Sequence, residues 1–313
     1  MLKPKVSIIG AGSVGIRYAY ALMISGLARS IVILDLDKPH AEGEVLDLSS
    51  SMPYVSPVQI TVGDYPDLKD SDLIVITAGR KQKPGQTRLE LVQDNVNLFK
   101  AIIPEIIKYD KDAVFLIVTN PVDVLSYAAQ KISFKPWAKV IGSGTVLDSA
   151  RLRFLLSQHC NIDARNIHAY ILGEHGDSEF PVWSKAMFGA ALLEEHCLNC
   201  NKCSHQEALD RIFTETRDFA YKIIERKGET SYGIGLALAR ITEAIIKDEN
   251  SVLPVSCFVQ GYYGITDMYM SLPAIVNKSG IREVLNIRLN DKELESLKKS
   301  ADTIKSVIRE LSL

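Results

Sequence analysis

The chain has 313 residues, 47% of them hydrophobic, with 38 acidic and 36 basic side chains and a formal net charge of −2. That length suits one large or two medium domains, and the even charge balance excludes the basic surface that a large nucleic-acid footprint needs. No apolar run approaches the ~20 residues that span a bilayer. The start, Met1-Leu2-Lys3-Pro4, lacks the charged, apolar and small-residue regions of a secretion signal, so a cytoplasmic protein is expected, with its five cysteines as thiols.

Along the first half, short β-branched runs alternate with helical stretches. Strands are predicted at Lys5–Ile9, Ile31–Asp35, Val58–Val62, Leu73–Thr77, Val114–Val118 and Lys139–Ile141, and helices at Val14–Ser25, Pro39–Ser49, Leu89–Tyr109 and Val122–Lys131. Continuous apolar strands separated by crossover helices predict a doubly wound parallel α/β domain over residues 1–142. From 143 to 313 the pattern becomes α+β. It has a helix at Leu147–Cys160, a strand at Ile167–Leu172, a polar turn at Gly173–Ser178 and long helices at Gln206–Lys227 and Gly235–Lys247. A strand-rich stretch at Val252–Tyr263 follows, and the last helix, Asp291–Leu311, is capped by Asn290. No flexible linker separates the halves, so they are expected to be joined firmly.

Gly10-Ala11-Gly12-Ser13-Val14-Gly15 lies between the first strand and the first helix. Gly10 permits a tight turn, Gly12 lets the backbone approach a pyrophosphate, and Gly15 lets helix and strand pack closely. The helix start adds amide donors and partial positive charge. Asp35, 20 residues after Gly15, can accept both hydroxyls of a ribose and would repel a 2′-phosphate. Together they predict a Rossmann-type site for NAD rather than NADP.

Three segments carry candidate chemistry. Gly173-Glu174-His175-Gly176-Asp177 sets a histidine in a turn after a strand, and histidine titrates near neutral pH, as a general acid or base requires. Asp148 is a carboxylate that can tune it. Asp148 and Arg151 share a helix face; Arg151 can either grip a substrate carboxylate or make a local salt bridge. Residues 78–88, Ala-Gly-Arg-Lys-Gln-Lys-Pro-Gly-Gln-Thr-Arg, follow a strand at the sheet's carboxyl end and suit a closing lid, with Arg88 able to polarise a ketone oxygen; the alternative is a solvated basic loop.

With VTNPVD at 118–123, IGSGTVLDSARLR at 141–153, LGEHGDSEFPVWS at 172–184 and LKKSADTIK at 297–305, these motifs resemble the lactate/malate dehydrogenase family over nearly the whole chain. The resemblance implies reversible reduction of pyruvate to lactate with NADH. It implies His175 as proton donor and acceptor, Asp148 as its partner, Arg151 as the carboxylate clamp and Arg88 as the lid arginine. Asn120 and Thr230 are implied in substrate contact, and Gly10, Gly12, Val14, Gly15, Asp35, Tyr65, Gly79, Thr119, Asn120 and Ser143 in cofactor contact. Gln82 stands where malate dehydrogenases carry an arginine for a second carboxylate, which favours pyruvate over oxaloacetate. Arg153 and His168 match positions that bind fructose 1,6-bisphosphate in bacterial family members, implying an allosteric effector and a homotetramer. Cys197, Cys200 and Cys203 have CxxCxxC spacing, which can hold zinc or an iron–sulfur cluster. In the family this stretch is a variable loop, and thiols without metal are expected. Cys160 and Cys257 read as core.

Overall fold

The computed structural model describes residues 4–80, 85–197 and 205–312, apart from the side chains of 88, 196 and 197. Six strands of the first half form a parallel sheet: β1 (Lys5–Ile9), β2 (Ser30–Leu34), β3 (Gln59–Val62), β4 (Leu73–Ile76), β5 (Val114–Ile117) and β6 (Val140–Gly142). Their spatial order is β3-β2-β1-β4-β5-β6, the doubly wound arrangement expected, and the order in which strands are added reverses between β1 and β4. These strands read as unbroken apolar runs because both faces are covered. Val6, Ile8, Leu73, Val75, Val114 and Leu116 enter one core, while Ile9, Ile74, Ile76, Phe115 and Ile117 enter the other. Each fully buried Ile, Leu or Phe contributes ~1.5–3 kcal/mol. The crossover helices are α1 (Ser13–Ser25), α2 (Lys38–Ser49), α3 (Arg88–Tyr109) and α4 (Val122–Ser133). The side chains of Thr87 and Glu90 cap α3 reciprocally, fixing where the helix begins after the 78–87 loop.

The second half opens with α5 (Val146–Cys160). Short strands follow at β7 (Ile167–His168), β8 (Ile171–Leu172), β9 (Phe180–Pro181), β10 (Met187–Phe188) and β11 (Ala191–Leu192). Next come α6 (Leu193–Cys197), α7 (His205–Lys227), α8 (Tyr232–Ile246), a meander of β12 (Ser251–Tyr262), β13 (Ile265–Asn277) and β14 (Gly280–Val284), and α9 (Asp291–Glu310). Asn290 caps α9 as expected, accepting from the Glu293 amide at 2.9 Å. The meander joins β6 antiparallel through Ser256 opposite Gly142, so one nine-stranded sheet runs through both halves. The firm joint expected from the missing linker is therefore a shared sheet.

Two expectations change. The single strand at Ile167–Leu172 is two strands in different sheets, β7 pairing with β10 and β8 with β9. The strand-rich stretch ending at Tyr263 is only the first arm of the meander, with β13 and β14 beyond it. No described helix is long and apolar enough to cross a membrane.

Candidate active site

Every candidate cofactor residue lies at or beyond the carboxyl end of a parallel strand or at the first turn of α1. Gly10 follows β1, Asp35 follows β2, Tyr65 comes after β3 and Gly79 after β4, while Thr119 and Ser143 are buried just past β5 and β6. Gly10, Gly12, Asp35, Tyr65 and Gly79 line one crevice of about 300 Å³ at the switch point between β1 and β4. Gly10 has φ +110°, and a Cβ there would press on the Ala78 backbone nitrogen at 2.8 Å. A Cβ on Gly15 would strike the Gly10 carbonyl, whereas one on Gly12 would meet nothing within 4 Å. Thus Gly10 and Gly15 are required by packing, and Gly12 by whatever enters the open space before α1. Asp35 holds the loop, its carboxylate accepting from the Ala11 amide at 2.6 Å and the Asp37 amide at 2.9 Å. Open backbone at a helix start, with a carboxylate across from it, fits a dinucleotide carrying free ribose hydroxyls.

The loops after β4 and β5 are tied by a residue absent from the candidates above. Asn95 of α3 is 1% exposed; it accepts from the Arg80 amide at 2.7 Å and donates to the Asn120 carbonyl at 3.2 Å. The Thr119 hydroxyl donates to the Ala78 carbonyl at 2.7 Å, and a Cβ on Gly79 would collide with the Thr119 methyl.

A second cavity, of about 370 Å³, is lined by Asn120, Asp148, Arg151 and His175. It brings together residues 120 and 175, distant in sequence. His175 Nδ1 is 2.7 Å from one Asp148 oxygen, and Arg151 donates to the other at 2.9 Å. The Asp148 side chain is 4% exposed, that of Arg151 10% and that of His175 25%. Arg151 thus makes the local salt bridge with Asp148 on α5, and it also lines the cavity. Burial works to lower the His175 pKa, but the Asp148 carboxylate overrides it and lifts the imidazole to about 9. Burial likewise resists the charge on Asp148, and His175 and Arg151 together hold its carboxyl below the ordinary value.

The turn bearing His175 is fixed from three sides. Gly173 exchanges backbone hydrogen bonds with Ser271 of β13, and the Glu174 amide donates to the Ser300 hydroxyl of α9 at 2.6 Å. The His175 amide donates to Asp123 of α4 at 2.8 Å. Asp123, which entered the reading only as the last letter of VTNPVD, also accepts from the Ser256 hydroxyl at 2.6 Å. Burial pushes its carboxyl up to about 6, against the pull of these two donors. One sequence signal pointed to it: an acid amid the apolar Val122, Val124 and Leu125 of a buried helix face.

Among the described residues lining this cavity, Thr230 is not one; it follows α7 in the short link to α8. Gln82, Cys200, Cys203 and the side chains of Arg88 and Cys197 lie outside the described residues. Arg153 and His168 meet at a different cavity, of about 510 Å³, where the Arg153 guanidinium also donates to the Ala164 carbonyl at 3.0 Å. Cys257 is buried and Cys160 half-buried.

A crevice at the switch point that fits a dinucleotide, together with a second cavity holding a carboxylate-tuned imidazole and a buried arginine, defines the class, a nicotinamide-dependent oxidoreductase. Comparison with known proteins narrows it. The NAD-binding domain profile of lactate/malate dehydrogenase matches residues 4–142, and the alpha/beta C-terminal domain profile matches residues 145–312. The L-lactate dehydrogenase of Acetivibrio thermocellus is 49% identical over 309 residues, 99% of this chain and 98% of that protein. That of Thermoanaerobacter pseudethanolicus is 50% identical over 99% of both chains. The solved minor L-lactate dehydrogenase of Enterococcus mundtii superposes with a TM-score of 0.96 at 37% identity, covering 99% of each chain. The chain belongs to the lactate/malate dehydrogenase family and is an NAD-dependent oxidoreductase.

Proposed function

We propose that the protein is an L-lactate dehydrogenase that reduces pyruvate to L-lactate with NADH, reversibly. The observation that carries this is the 2.7 Å contact between His175 Nδ1 and buried Asp148, facing a cavity shared with Arg151 and Asn120. The relatives named L-lactate dehydrogenase at about half identity support the same reading. Gly10, Gly12, Val14, Gly15, Asp35, Tyr65, Gly79, Thr119, Asn120 and Ser143 would hold the dinucleotide, which as NADH would supply the hydride. Arg151 holds the substrate carboxylate, using donors that Asp148 leaves unoccupied. Because Asp148 engages Nδ1, the other ring nitrogen of His175 faces the substrate. From it one proton passes to the keto oxygen, and Asp148 stabilises the imidazolium before transfer. Arg88 polarises the carbonyl, Thr230 borders the substrate once the site closes, and Gln82 fits a methyl end rather than a second carboxylate. His175→Asn tests this: turnover is lost while NADH binding, followed by fluorescence, is retained. Unchanged turnover refutes it. A rate with oxaloacetate above that with pyruvate refutes the role of Gln82.

The finer assignment is activation by fructose 1,6-bisphosphate in a cytoplasmic homotetramer. Its support is that Arg153 and His168, 15 residues apart in sequence, line one cavity where cations can meet phosphate. Pyruvate titrations with and without the bisphosphate test it: a lowered KM is expected in the wild type and none in Arg153→Ala.

A further inference from the structure

Glu179 enters none of these roles, yet it belongs to the same cavity. It is 6% exposed, and one of its oxygens, one Asp148 oxygen and one His175 ring nitrogen all lie within 4.8 Å of each other. Asp148 spends its two oxygens on His175 and Arg151, whereas among the described residues no donor bonds the carboxyl of Glu179. Two carboxyl groups this close in a buried site do not both ionise readily. The surrounding charges are Asp148 and Arg151 on α5, Arg217 on α7, Asp123 on α4 and, in the same turn, Glu174 and Asp177. Glu174 accepts from the Ser178 hydroxyl and Asp177 from Tyr221. Arg217 stands 3.4 Å from Asp218. Burial and the Asp148 charge push Glu179 well above the ordinary carboxyl range, outweighing His175, Arg151 and Arg217.

We propose that Glu179 carries a second dissociable proton of this site and must keep it for an anionic keto acid to bind. The inference rests on reading the cavity as the keto-acid site. With Glu179 neutral, Asp148, Asp177 and the substrate carboxylate are balanced by Arg151, Arg217 and protonated His175. With Glu179 ionised, the same enclosure holds one uncompensated negative charge beside the incoming carboxylate, which low-dielectric surroundings do not screen. Two protons are thus present when substrate binds. The one on His175 goes to the keto oxygen, and the one on Glu179 stays through the cycle. Asp123, near 6, is already ionised over the alkaline range in question and adds no third step.

The test is binding of oxamate, an isostere of pyruvate, to the protein–NADH complex, read by quenching of NADH fluorescence between pH 6 and 10. Proton linkage predicts that the wild-type Kd rises toward ~100-fold per pH unit at the alkaline end, and that of Glu179→Gln only ~10-fold. Glu179→Asp keeps the steeper limb. His175→Asn retains a one-proton limb, owed to Glu179. A one-proton limb in the wild type overturns the inference whether or not any variant folds, and so does a two-proton limb in Glu179→Gln. Failure of oxamate to bind at every pH instead refutes the keto-acid reading itself.

Discussion

Asp148→Asn gives the sharpest test of the His175 environment. The imidazole moves from 6.5 to about 9, and at 1.36 kcal/mol per unit that is ~3 kcal/mol of differential stabilisation of the imidazolium. Asparagine preserves shape and can still accept from Arg151, but the charge is gone. Burial then acts with less opposition, so the His175 pKa falls to ~6.5 or below. At pH 7.5 the protonated fraction drops from nearly all molecules to about one in ten, so kcat/KM for pyruvate falls at least ~10-fold. At pH 5.5 most of that loss returns, because the variant imidazole is again protonated. The assay is NADH absorbance at subsaturating pyruvate from pH 5 to 10. An alkaline midpoint equal to the wild type's refutes the reasoning, as does a loss of the same size at pH 5.5 and 7.5. Stability carries the same sign. A histidine raised on folding stabilises fully below its unfolded value of ~6.5, and that contribution is lost as pH rises through about 9. The wild-type urea midpoint therefore declines across that window more steeply than that of Asp148→Asn.

Asp123→Ala leaves the His175 amide and the Ser256 hydroxyl without their acceptor, costing ~1–3 kcal/mol for each buried group. Urea unfolding should show the loss, and kcat should fall while NADH affinity holds; an unchanged kcat argues that the turn needs no such anchor. The two loop glycines should behave differently. Gly15→Ala forces a Cβ onto the Gly10 carbonyl and lowers the melting temperature, whereas Gly12→Ala, with nothing within 4 Å, melts like the wild type but binds NADH more weakly. Equal NADH affinity in Gly12→Ala would mean that the space before α1 is not where the pyrophosphate lies.

The contrast between these residues explains what was legible in the chain. Parallel strands buried on both faces leave continuous apolar runs, so β1, β4 and β5 were found almost to the residue. The turn between β1 and α1 was legible because Gly10, Gly12, Gly15 and Asp35 answer to local turn and helix geometry at fixed spacing. The meander was half hidden because Pro254 and Pro273 face one another across β12 and β13, and proline ordinarily argues against an interior strand. Ile167–Leu172 looked like one strand because its residues suit strands throughout, while tertiary pairing splits it between two sheets.

The candidate site follows the same division. His175, Asp148 and Arg151 have chemistry that names them, and the i, i+3 spacing of the last two placed them on one helix face. Asn95 and Asp123 bind backbone amides and carbonyls and a serine hydroxyl of other segments, with partners 15 to 133 residues away. No periodicity encodes such distances. Glu179 was overlooked for a different reason: its identity was plain, but an acid next to buried Phe180 acquires unusual proton affinity only when packing buries it and α5 brings Asp148 within 4.8 Å. A motif thus marks out which group is suited to carry a proton. The proton affinity itself is set by charges and donors that long-range packing brings to α4, α5, α7 and the 173–179 turn. It follows that substitutions at Asp123 or Glu179 should reshape the pH profile while leaving the cofactor crevice intact, whereas substitutions at Gly15 or Asn95 should do the reverse.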